Sequence, residues 1–258
     1  MIVGIDFGIT NTDIALSNKD DVKFFTIPTK KICDDFLLEI FNFIKLDINQ
    51  VKKIAVTGGK SSDLSDSFKD IPIIKVNEVN AIGFGAIDLY GIDDKPFVAI
   101  STGTGTACIY HSDKKFNHLG GISIGGGTLQ GLSNYIINTS ESSQIEELAA
   151  SGKRESLDLL IGEAVNEIGS LYPEITASNF VKAKNTKKHS SEDLAASLSN
   201  MVGEVIGTIS YLNAMICGLD EVYFIGRTSL NKSIRIGIED LSLIHISEPT
   251  RRRGMGVW

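Results

Sequence analysis

The sequence predicts an α/β protein made of two lobes with a similar order of elements, and three observations carry this prediction. Strand-like and helix-like patterns alternate along the chain, as they do in α/β folds. Each half opens with a buried strand, a glycine/threonine turn and a hairpin. Each half then continues through helices to a later strand. We therefore predict an N-terminal lobe over residues 1–92 and a C-terminal lobe over residues 93–240.

The first half is predicted to run β-β-β-α-β-α-β-α. A short apolar run gives the first strand, two alternating runs give a hairpin beside it, and apolar residues at helical spacing give the first helix. A strand that leads into a small-residue helix ends this half. The elements with predicted bounds are strands Ile2–Asp6, Thr12–Ser17, Val22–Ile27, Lys53–Val56 and Ile71–Val76 and helices Cys33–Ile44 and Ala81–Leu89.

The second half repeats the order strand, glycine/threonine turn, hairpin and helix. A polar stretch from Ser151 to Ser191 has no clear period, so we expect irregular structure with short helices there. A long helix rich in small residues follows, and the last strand ends at Gly226. The elements with predicted bounds are strands Phe97–Ser101, Ala107–His111, Lys115–Leu119 and Glu221–Ile225 and helices Leu129–Ile137, Ile145–Ala150 and Leu194–Ile216.

Composition excludes several classes of protein. The 258 residues carry a formal net charge of −7, which argues against a nucleic-acid partner or an anionic membrane surface. No apolar run approaches the roughly 18 residues that a membrane span needs, and the N-terminus reads as a strand rather than a signal peptide. The three cysteines are too far apart for a zinc or iron–sulfur site. We expect a soluble, reduced, cytoplasmic protein.

The end of the chain differs in composition from the rest. Residues 241–258 hold the only tryptophan and three consecutive arginines, Arg251 to Arg253. The string LSLIHISEPTR from Leu241 to Arg251 resembles a translated transposase adapter of the kind used in sequencing libraries. We therefore expect a non-native tail over residues 241–258, with a genuine basic tail as the alternative.

Three glycine/threonine turns are the candidate phosphate sites. They are Asp6–Thr12 (DFGITNT), Ser101–Thr106 (STGTGT) and Gly120–Gly131 (GGISIGGGTLQG). Glycine lets backbone N–H groups approach an anion, threonine adds hydroxyl donors, and the third turn leads into a helix N-terminus, which favours phosphate. A tight hairpin without function is the alternative for any one turn. Two such turns that face one another would hold a nucleotide's phosphates from both sides.

These residues resemble one family closely, the type II pantothenate kinases of bacteria, within the actin/Hsp70/sugar kinase superfamily. The resemblance runs from Met1 to about Asp240 and implies an α/β fold of two ribonuclease H-like lobes. Family members continue past this point with a strand and a glycine-rich helix, so it also implies a truncated second lobe. The strings that carry the resemblance are VTGG (56–59), Glu78 before a small-residue helix, STGTGT (101–106), LGGISIGGGTLQGL (119–132), VGEV (202–205) and VYFIG (222–226).

The resemblance implies phosphoryl transfer from ATP, with Mg²⁺, to the small-molecule substrate pantothenate, which begins coenzyme A biosynthesis. It implies substrate contacts at His118, Gly120 and Gly121. The ATP contacts that it implies are Asp6, Phe7, Gly8, Ile9, Thr10, Asn11, Thr12, Asp13, Thr104, Gly126, Gly127, Thr128, Leu129 and Gln130.

Two acidic residues are the candidates for chemistry. Asp6 ends a strand beside the first turn, where it can hold Mg²⁺ through water; a turn-capping aspartate is the alternative. Glu78 stands where a strand gives way to a helix. It is the candidate general base for the substrate hydroxyl, and the alternative is an acid that complements the helix dipole.

Three residues depart from the family's pattern. Ile9 replaces a glycine in the first turn, Asp13 replaces a lysine near the phosphates, and His118 replaces an arginine on the pantothenate side. A neutral histidine cannot make a bidentate contact with a carboxylate, and an edge-strand residue without function is the alternative for His118. The departures leave two further functions open: a sugar or N-acetylhexosamine kinase, and a nucleotide-binding regulatory protein without phosphotransfer.

The long second-half helix and the cysteines have predicted structural roles. Small residues on the helix permit close helix approach, either within the core or in a homodimer contact; these are Ala195, Ala196, Ser197, Gly203 and Gly207. Cys108 and Cys217 lie within apolar runs, where a small buried thiol is expected.

Overall fold

The computed structural model describes residues 1–18, 21–166, 173–185, 188–241 and 245–247. Among the described residues, the chain divides into two compact units, Met1–Gly85 and a second that begins at Ala86. The division falls within one helix. The predicted lobe bounds of 1–92 and 93–240 stay a prediction.

The first unit contains a six-stranded sheet in the order β3-β2-β1-β4-β6-β5. Strands β1, β4 and β6 are parallel to one another, β2 pairs antiparallel with β1, and β3 pairs antiparallel with β2. The elements are β1 (Ile2–Phe7), β2 (Asn11–Asn18), β3 (Asp21–Pro28), α1 (Asp34–Phe43), β4 (Lys53–Thr57), β5 (Ser67–Phe68), β6 (Ile71–Lys75) and α2 (Glu78–Tyr90).

The core of this unit follows from alternation along the strands. Successive side chains of a strand point to opposite faces of the sheet, so every second residue of the strand lies on the same face. One face of the sheet packs against α1. The strands contribute Val3, Ile5, Phe7, Ile54 and Val56, and the helix contributes Phe36, Leu37, Ile40 and Phe41. The alternate positions, among them Asp6 and Thr57, lie on the opposite face at the carboxyl ends of β1 and β4.

One predicted element of the first half is wrong. The predicted order places a helix between β4 and the strand at Ile71, but the structure has a short 3₁₀ turn, Ser61–Asp63, and the short strand β5. Gly58 and Gly59 end β4 with positive φ angles of 73° and 43°, and residues 60–70 offer only Leu64 and Phe68 as apolar side chains, which is too little for the apolar stripe of a helix.

The second unit contains a five-stranded sheet in the order β13-β12-β7-β8-β9 and a separate pair, β10 and β11. The predicted strand Glu221–Ile225 has the predicted bounds. The elements are β7 (Phe97–Thr102), β8 (Thr106–Ser112), β9 (Lys115–Ile122), α3 (Gly126–Ile137), α4 (Ser142–Ser151), β10 (Leu159–Leu160), α5 (Ile161–Ala164), β11 (Thr176–Ser178), α6 (Ser191–Cys217), β12 (Glu221–Ile225), α7 (Lys232–Leu241) and β13 (His245–Ser247).

Helix α6 is the central helix of this unit. The Ser190 hydroxyl caps its N-terminus by accepting the Asp193 N–H at 3.0 Å, and Gly218 ends it with a φ of 68°. A side chain at Gly203 would collide with the backbone of α7, so glycine permits the two helices to approach. The five small residues of the sequence prediction, Ala195, Ala196, Ser197, Gly203 and Gly207, are all buried. They serve core packing.

The polar stretch after α4 is held to α6 by buried polar groups. Asp158 is fully buried, and its carboxylate accepts the Phe180 N–H at 2.9 Å and the Ser197 hydroxyl. Burial raises the pKa of Asp158, while these two hydrogen bonds oppose the rise. Glu204 of α6 accepts the Thr176 N–H at 3.2 Å. This stretch therefore takes its order from α6 rather than from an apolar period of its own.

The remaining expectations about the chain concern its end and its thiols. Most of the predicted non-native tail, residues 241–258, lies outside the described residues; the backbone of β13 pairs parallel with β12. Cys108 is fully buried, which raises its thiol pKa to about 11, and burial also raises the pKa of Cys217. Within the described ranges, no helix combines the length and apolarity that a membrane crossing needs.

Candidate functional site

The candidate site of the first unit lies at one edge of its sheet. Because β1, β4 and β6 are parallel, their carboxyl ends meet at the same edge. Asp6 and Thr57 stand at the ends of β1 and β4, and Glu78 follows the end of β6 as the first residue of α2. Ligands of open α/β sheets bind at this edge, so the fold brings the two candidate acids to the side where chemistry is expected.

The first glycine/threonine turn, Gly8–Thr10, is held by a threonine from outside it. The Thr29 hydroxyl donates to the Gly8 carbonyl at 2.7 Å, and the Thr29 N–H donates to the Thr10 carbonyl at 3.0 Å. The Thr12 hydroxyl lies 2.9 Å from the Thr29 hydroxyl and Thr12 is fully buried. Thr12 therefore supports the turn with its side chain. Sequence reasoning missed Thr29, which stands outside the motif.

Two residues of this turn region have opposite exposure. Phe7 belongs to the core, so only its backbone can face a ligand. Ile9 is 81% exposed, and it is not among the described residues with positive φ. The turn therefore accepts an L-residue at the position where the family usually has glycine, and the departure at Ile9 requires no strained backbone.

A row of polar side chains crosses the first sheet at Asp6. Thr26, Asp13, Asp6 and Thr57 are successive register partners on β3, β2, β1 and β4; we call them the polar row. The Thr26 hydroxyl donates to Asp13 Oδ1 at 2.6 Å. This bond draws the Asp13 carboxylate towards β3, on the side away from Asp6. The structure thus gives the second departure from the family, Asp13, a bonded partner within the sheet.

The VTGG string ends β4 next to Asp6. The Thr57 hydroxyl is buried and has no hydrogen-bond partner within the described part of the chain. Gly58 lies against the Asp6 carboxylate oxygen Oδ1, and a Cβ at Gly58 or Gly59 would press on the Phe7 carbonyl at 2.9 or 2.8 Å. Glycine at these two positions therefore lets β4 end close against the backbone and carboxylate of β1.

Glu78 is exposed at the N-terminus of α2. The preceding Asn77 accepts the Val79 N–H on its Oδ1 at 2.9 Å, so an uncharged cap already satisfies one helix donor. A carboxylate at this end is favoured by the helix dipole. Its exposure leaves it accessible to a substrate hydroxyl.

The second glycine/threonine turn lies between β7 and β8. The Thr102 hydroxyl donates to the Ile225 carbonyl at 3.0 Å and accepts the Ser229 N–H at 3.1 Å. The Thr228 hydroxyl donates to the Gly103 carbonyl at 2.8 Å. The turn is therefore fixed by the segment that follows β12, a contact that no local motif signals.

Backbone hydrogen bonds join the third glycine cluster to the second turn; we call them the backbone staple. The Gly126 and Gly127 N–H groups donate to the Gly103 and Thr104 carbonyls at 2.9 and 3.0 Å. A Cβ at Gly125 would lie 2.7 Å from the Thr104 carbonyl oxygen and 2.8 Å from that of Gly103. Backbone carbonyls therefore accept these two N–H groups of α3, and the expectation that this helix N-terminus binds phosphate stays a prediction.

The other predicted residues of α3 have internal partners. Leu129 is buried in the core of the unit, the Thr128 hydroxyl donates to the Ser123 carbonyl at 2.9 Å, and the Gln130 amide donates to the Ser142 hydroxyl at 2.9 Å. The predicted nucleotide contacts over Gly126–Gln130 stay a prediction.

The predicted substrate residues lie on the edge strand β9. His118 is exposed and pairs with Ile109. The register shifts next to this pair, so Gly120 faces Cys108 and Gly121 faces Ala107, beside the end of the second turn. The bulge brings both glycines next to that turn and leaves His118 further along the edge.

The residues at Asp6 fit a hard cation that takes most of its ligands from water and phosphate rather than from the protein. An exposed carboxylate and a neighbouring hydroxyl are oxygen ligands of the type that Mg²⁺ takes. Within the described ranges, no cluster of three or more His, Cys, Asp or Glu side chains could hold a metal ion. A cation here would depend on water and phosphate oxygens, as Mg²⁺ bound with a nucleotide does.

Comparison with known proteins gives consistent family matches. The family model described as Fumble matches residues 91–242, more than half of the chain. A type II pantothenate kinase from Bacillus thuringiensis is 33% identical over 244 residues, covering 89% of this chain and 83% of the relative. The type II pantothenate kinase from Oceanobacillus iheyensis is 27% identical over 234 residues, covering 89% and 85%.

Solved structures show the same fold at low sequence identity. An activator of 2-hydroxyisocaproyl-CoA dehydratase from Clostridium difficile, with bound ADPNP, has a TM-score of 0.63 at 16% identity, over 95% of this chain and 87% of its own. A ROK family protein from Streptococcus pneumoniae, in complex with sucrose, has a TM-score of 0.55 at 12% identity, over 93% and 85%. The predicted α/β fold is confirmed.

Proposed function

The chain belongs to the type II pantothenate kinase family, and from this premise we propose that it transfers the γ-phosphoryl group of ATP to the primary hydroxyl of pantothenate. The product is 4′-phosphopantothenate, and the reaction begins coenzyme A biosynthesis. The family match over most of the chain is the observation that carries this proposal. The placement of Asp6 and Glu78 at the carboxyl edge of one sheet supports it.

Catalysis of phosphoryl transfer consists mostly of positioning and charge neutralisation. Glu78 acts as the general base: its exposed carboxylate accepts the proton of the substrate hydroxyl as the oxygen–phosphorus bond forms. Asp6 stands beside the first turn and would hold Mg²⁺ through water, and the cation would neutralise phosphate charge. Thr104 and residues Gly126–Gln130 contact ATP in the second unit.

A coupled assay of ADP release with pantothenate as acceptor tests the proposal. We expect ATP-dependent turnover and a product that is heavier by one phosphoryl group in mass spectrometry. No turnover with pantothenate, together with turnover on a hexose or an N-acetylhexosamine, would replace the acceptor and keep the kinase. Tight ATP binding in calorimetry without turnover on any of these acceptors would favour a regulatory nucleotide-binding protein.

The acceptor question centres on His118. Its exposed position on the edge strand β9 supports contact with a substrate, together with Gly120 and Gly121. A neutral imidazole offers one donor to a carboxylate instead of a guanidinium fork. We expect His118→Arg to lower KM for pantothenate about tenfold, the value of one added charge-assisted hydrogen bond, and to leave KM for ATP unchanged. Equal KM values for pantothenate would remove His118 from the substrate site.

Two further properties belong to this proposal: a cytoplasmic location and a homodimer. The outer face of α6 and its end expose apolar side chains, and Ile216 is 81% exposed. We propose this face as the dimer contact because such a contiguous apolar surface is unusual on a monomer. The exposed residues are Val205, Leu212, Met215 and Ile216. Light scattering should give a dimer for the natural chain and a folded monomer for Leu212→Asp; a natural-chain monomer would contradict the contact.

A further inference from the structure

We infer that Thr57 is a positioning residue for Asp6, and that its hydroxyl donates a hydrogen bond to the Asp6 carboxylate when MgATP is bound. The role depends on the proposed function, because it takes Asp6 as a contact of MgATP. It also gives a physical purpose to the VTGG string at 56–59, to which the reaction itself assigns no group.

The packing of the first unit gives no reason for a hydroxyl at Thr57. It is buried and has no hydrogen-bond partner among the described residues. A buried hydroxyl without a partner is unfavourable, and valine has the same shape without that cost. Nearly all buried polar groups in folded proteins have a partner. The Thr57 hydroxyl is therefore available to a partner beyond those that it has among the described residues.

The Asp6 carboxylate is the group best placed to become that partner. Asp6 and Thr57 are register partners on the neighbouring strands β1 and β4, which lie about 4.8 Å apart. Both alternate with buried core residues, so both side chains stand on the face opposite the core. The Asp6 carboxylate already leans towards β4, because its Oδ1 lies against Gly58.

The other end of the polar row shows the same kind of pair with its bond formed. Thr26 and Asp13 are register partners on β3 and β2, and their side chains are joined at 2.6 Å. Neighbouring strands of this sheet therefore place a threonine hydroxyl within reach of an aspartate. Thr57 and Asp6 are likewise register partners, here on parallel strands and without a bond from the Thr57 hydroxyl, and a rotation of the Asp6 side chain would bring its carboxylate towards Thr57.

This difference predicts an unusual pair of effects for Thr57→Val. The ligand-free protein should melt at the same temperature or higher, because the substitution removes an unpaired buried hydroxyl. The affinity for MgATP should fall about tenfold, the value of one hydrogen bond to a charged group. A residue with a merely structural role would lower the melting temperature and leave the affinity of the folded protein unchanged.

The experiment measures thermal melting with and without MgATP, together with MgATP affinity by calorimetry, for the natural chain, Thr57→Val and Thr57→Ser. Serine keeps the hydroxyl, so Thr57→Ser should restore MgATP affinity to within about threefold. The matched control is Thr208→Val, which removes a threonine hydroxyl bond of 2.8 Å to the Glu204 carbonyl on the exposed side of α6. It should leave MgATP affinity unchanged.

Two results would overturn the inference. One is a Thr57→Val protein that binds MgATP within twofold of the natural chain, and the other is a Thr57→Ser protein that loses as much MgATP affinity as Thr57→Val. Turnover of pantothenate is measured separately on the natural chain. An inactive natural chain that still binds MgATP would refute the proposed function and leave the test of Thr57 intact. Natural turnover with unchanged binding in Thr57→Val would refute only the role of Thr57.

Discussion

The two glycine/threonine turns that open the two units look alike in sequence, but different interactions support them. The turn at Gly8–Thr10 is held mainly through side-chain hydroxyls, with Thr29 at its centre. The turn at Gly103–Gly105 is held mainly through backbone bonds from Gly126 and Gly127, with Thr228 as an added donor.

This difference separates two ways of building a phosphate-sized turn. A backbone-stapled turn needs glycine wherever two main chains approach, so its sequence is tightly constrained. A turn supported by side chains tolerates replacement within the loop itself, as Ile9 shows, but it depends on a residue outside the motif. Two similar strings are thus supported by different interactions.

The largest expected effect places the chemistry in the first unit. Glu78→Gln removes the proposed base while keeping the shape of the side chain, so kcat should fall about 10²- to 10⁴-fold, the usual value of general base catalysis. KM for ATP should change little. Steady-state kinetics measures both, with Asp88→Asn as the control, since Asp88 is an exposed acid of the same helix. An unchanged kcat for Glu78→Gln would place the base elsewhere.

The next effect tests the backbone staple of the second turn. Gly125→Ala should destabilise the protein by about 3 kcal/mol, because its Cβ would meet two carbonyl oxygens that cannot move independently. Gly103→Ala is the matched control, since nothing lies within 4 Å of a Cβ there. Urea denaturation measures both. Equal stability of the two variants would show that the backbone around Gly125 moves to accommodate a Cβ.

A smaller effect compares the threonines that support the two turns. Thr29→Val removes the 2.7 Å bond to the Gly8 carbonyl and the contact with Thr12. This should lower the free energy of unfolding by about 1–2 kcal/mol. Thr228→Val removes one bond to the Gly103 carbonyl, which the Gly126 N–H also satisfies. We therefore expect the larger rise in KM for ATP from Thr29→Val. A larger rise from Thr228→Val would reverse the comparison.

The smallest effect concerns buried and exposed acids of the second unit. Burial raises the pKa of Asp158 in the folded protein above its unfolded value. The folded state therefore loses stability as pH rises from the unfolded pKa of this carboxyl through its folded pKa. Asp158→Asn removes this cost, so its stability relative to the natural chain should improve as pH rises through the titration of Asp158. Urea denaturation at several pH values measures the difference.

Glu163 supplies a control of opposite sign. The Leu160 N–H and the Lys182 ammonium lower the pKa of this exposed carboxylate, so its contribution is present above the unfolded pKa and lost as pH falls through the folded one. Glu163→Gln should therefore lose stability relative to the natural chain as pH rises. Parallel behaviour of the two variants would contradict the assigned causes.

Much of the fold could be predicted because its elements are periodic and its strands end in glycine. The strand Glu221–Ile225 and the buried helix α6 follow directly from apolar spacing. The predicted helix between β4 and β6 is wrong because the segment there has only two apolar side chains, Leu64 and Phe68, which are too few for the apolar stripe of a helix. The stretch after α4 could not be predicted, since its order comes from buried bonds such as that of Asp158 with Phe180.

The site was less predictable than the fold. The turns, Asp6 and Glu78 could be located because strand ends and glycines mark them in the chain. The supporting hydroxyls of Thr29 and Thr228 could not, because they reach their turns from distant positions and lie in no recognisable string. Whether Gly126 and Gly127 donate to phosphate or to carbonyls is likewise decided by tertiary contact, which sequence spacing does not encode.

The exposed isoleucine of the first turn has a practical consequence. Ile9 carries methyl groups on the surface of the loop, with 81% of the residue open to solvent, while the buried isoleucines of its unit lie in a packed core. Selective ¹³C labelling of isoleucine methyl groups would therefore place a solvent-exposed reporter at the turn. Its shift on titration with nucleotide would report loop occupancy directly, without a fluorophore or an added cysteine.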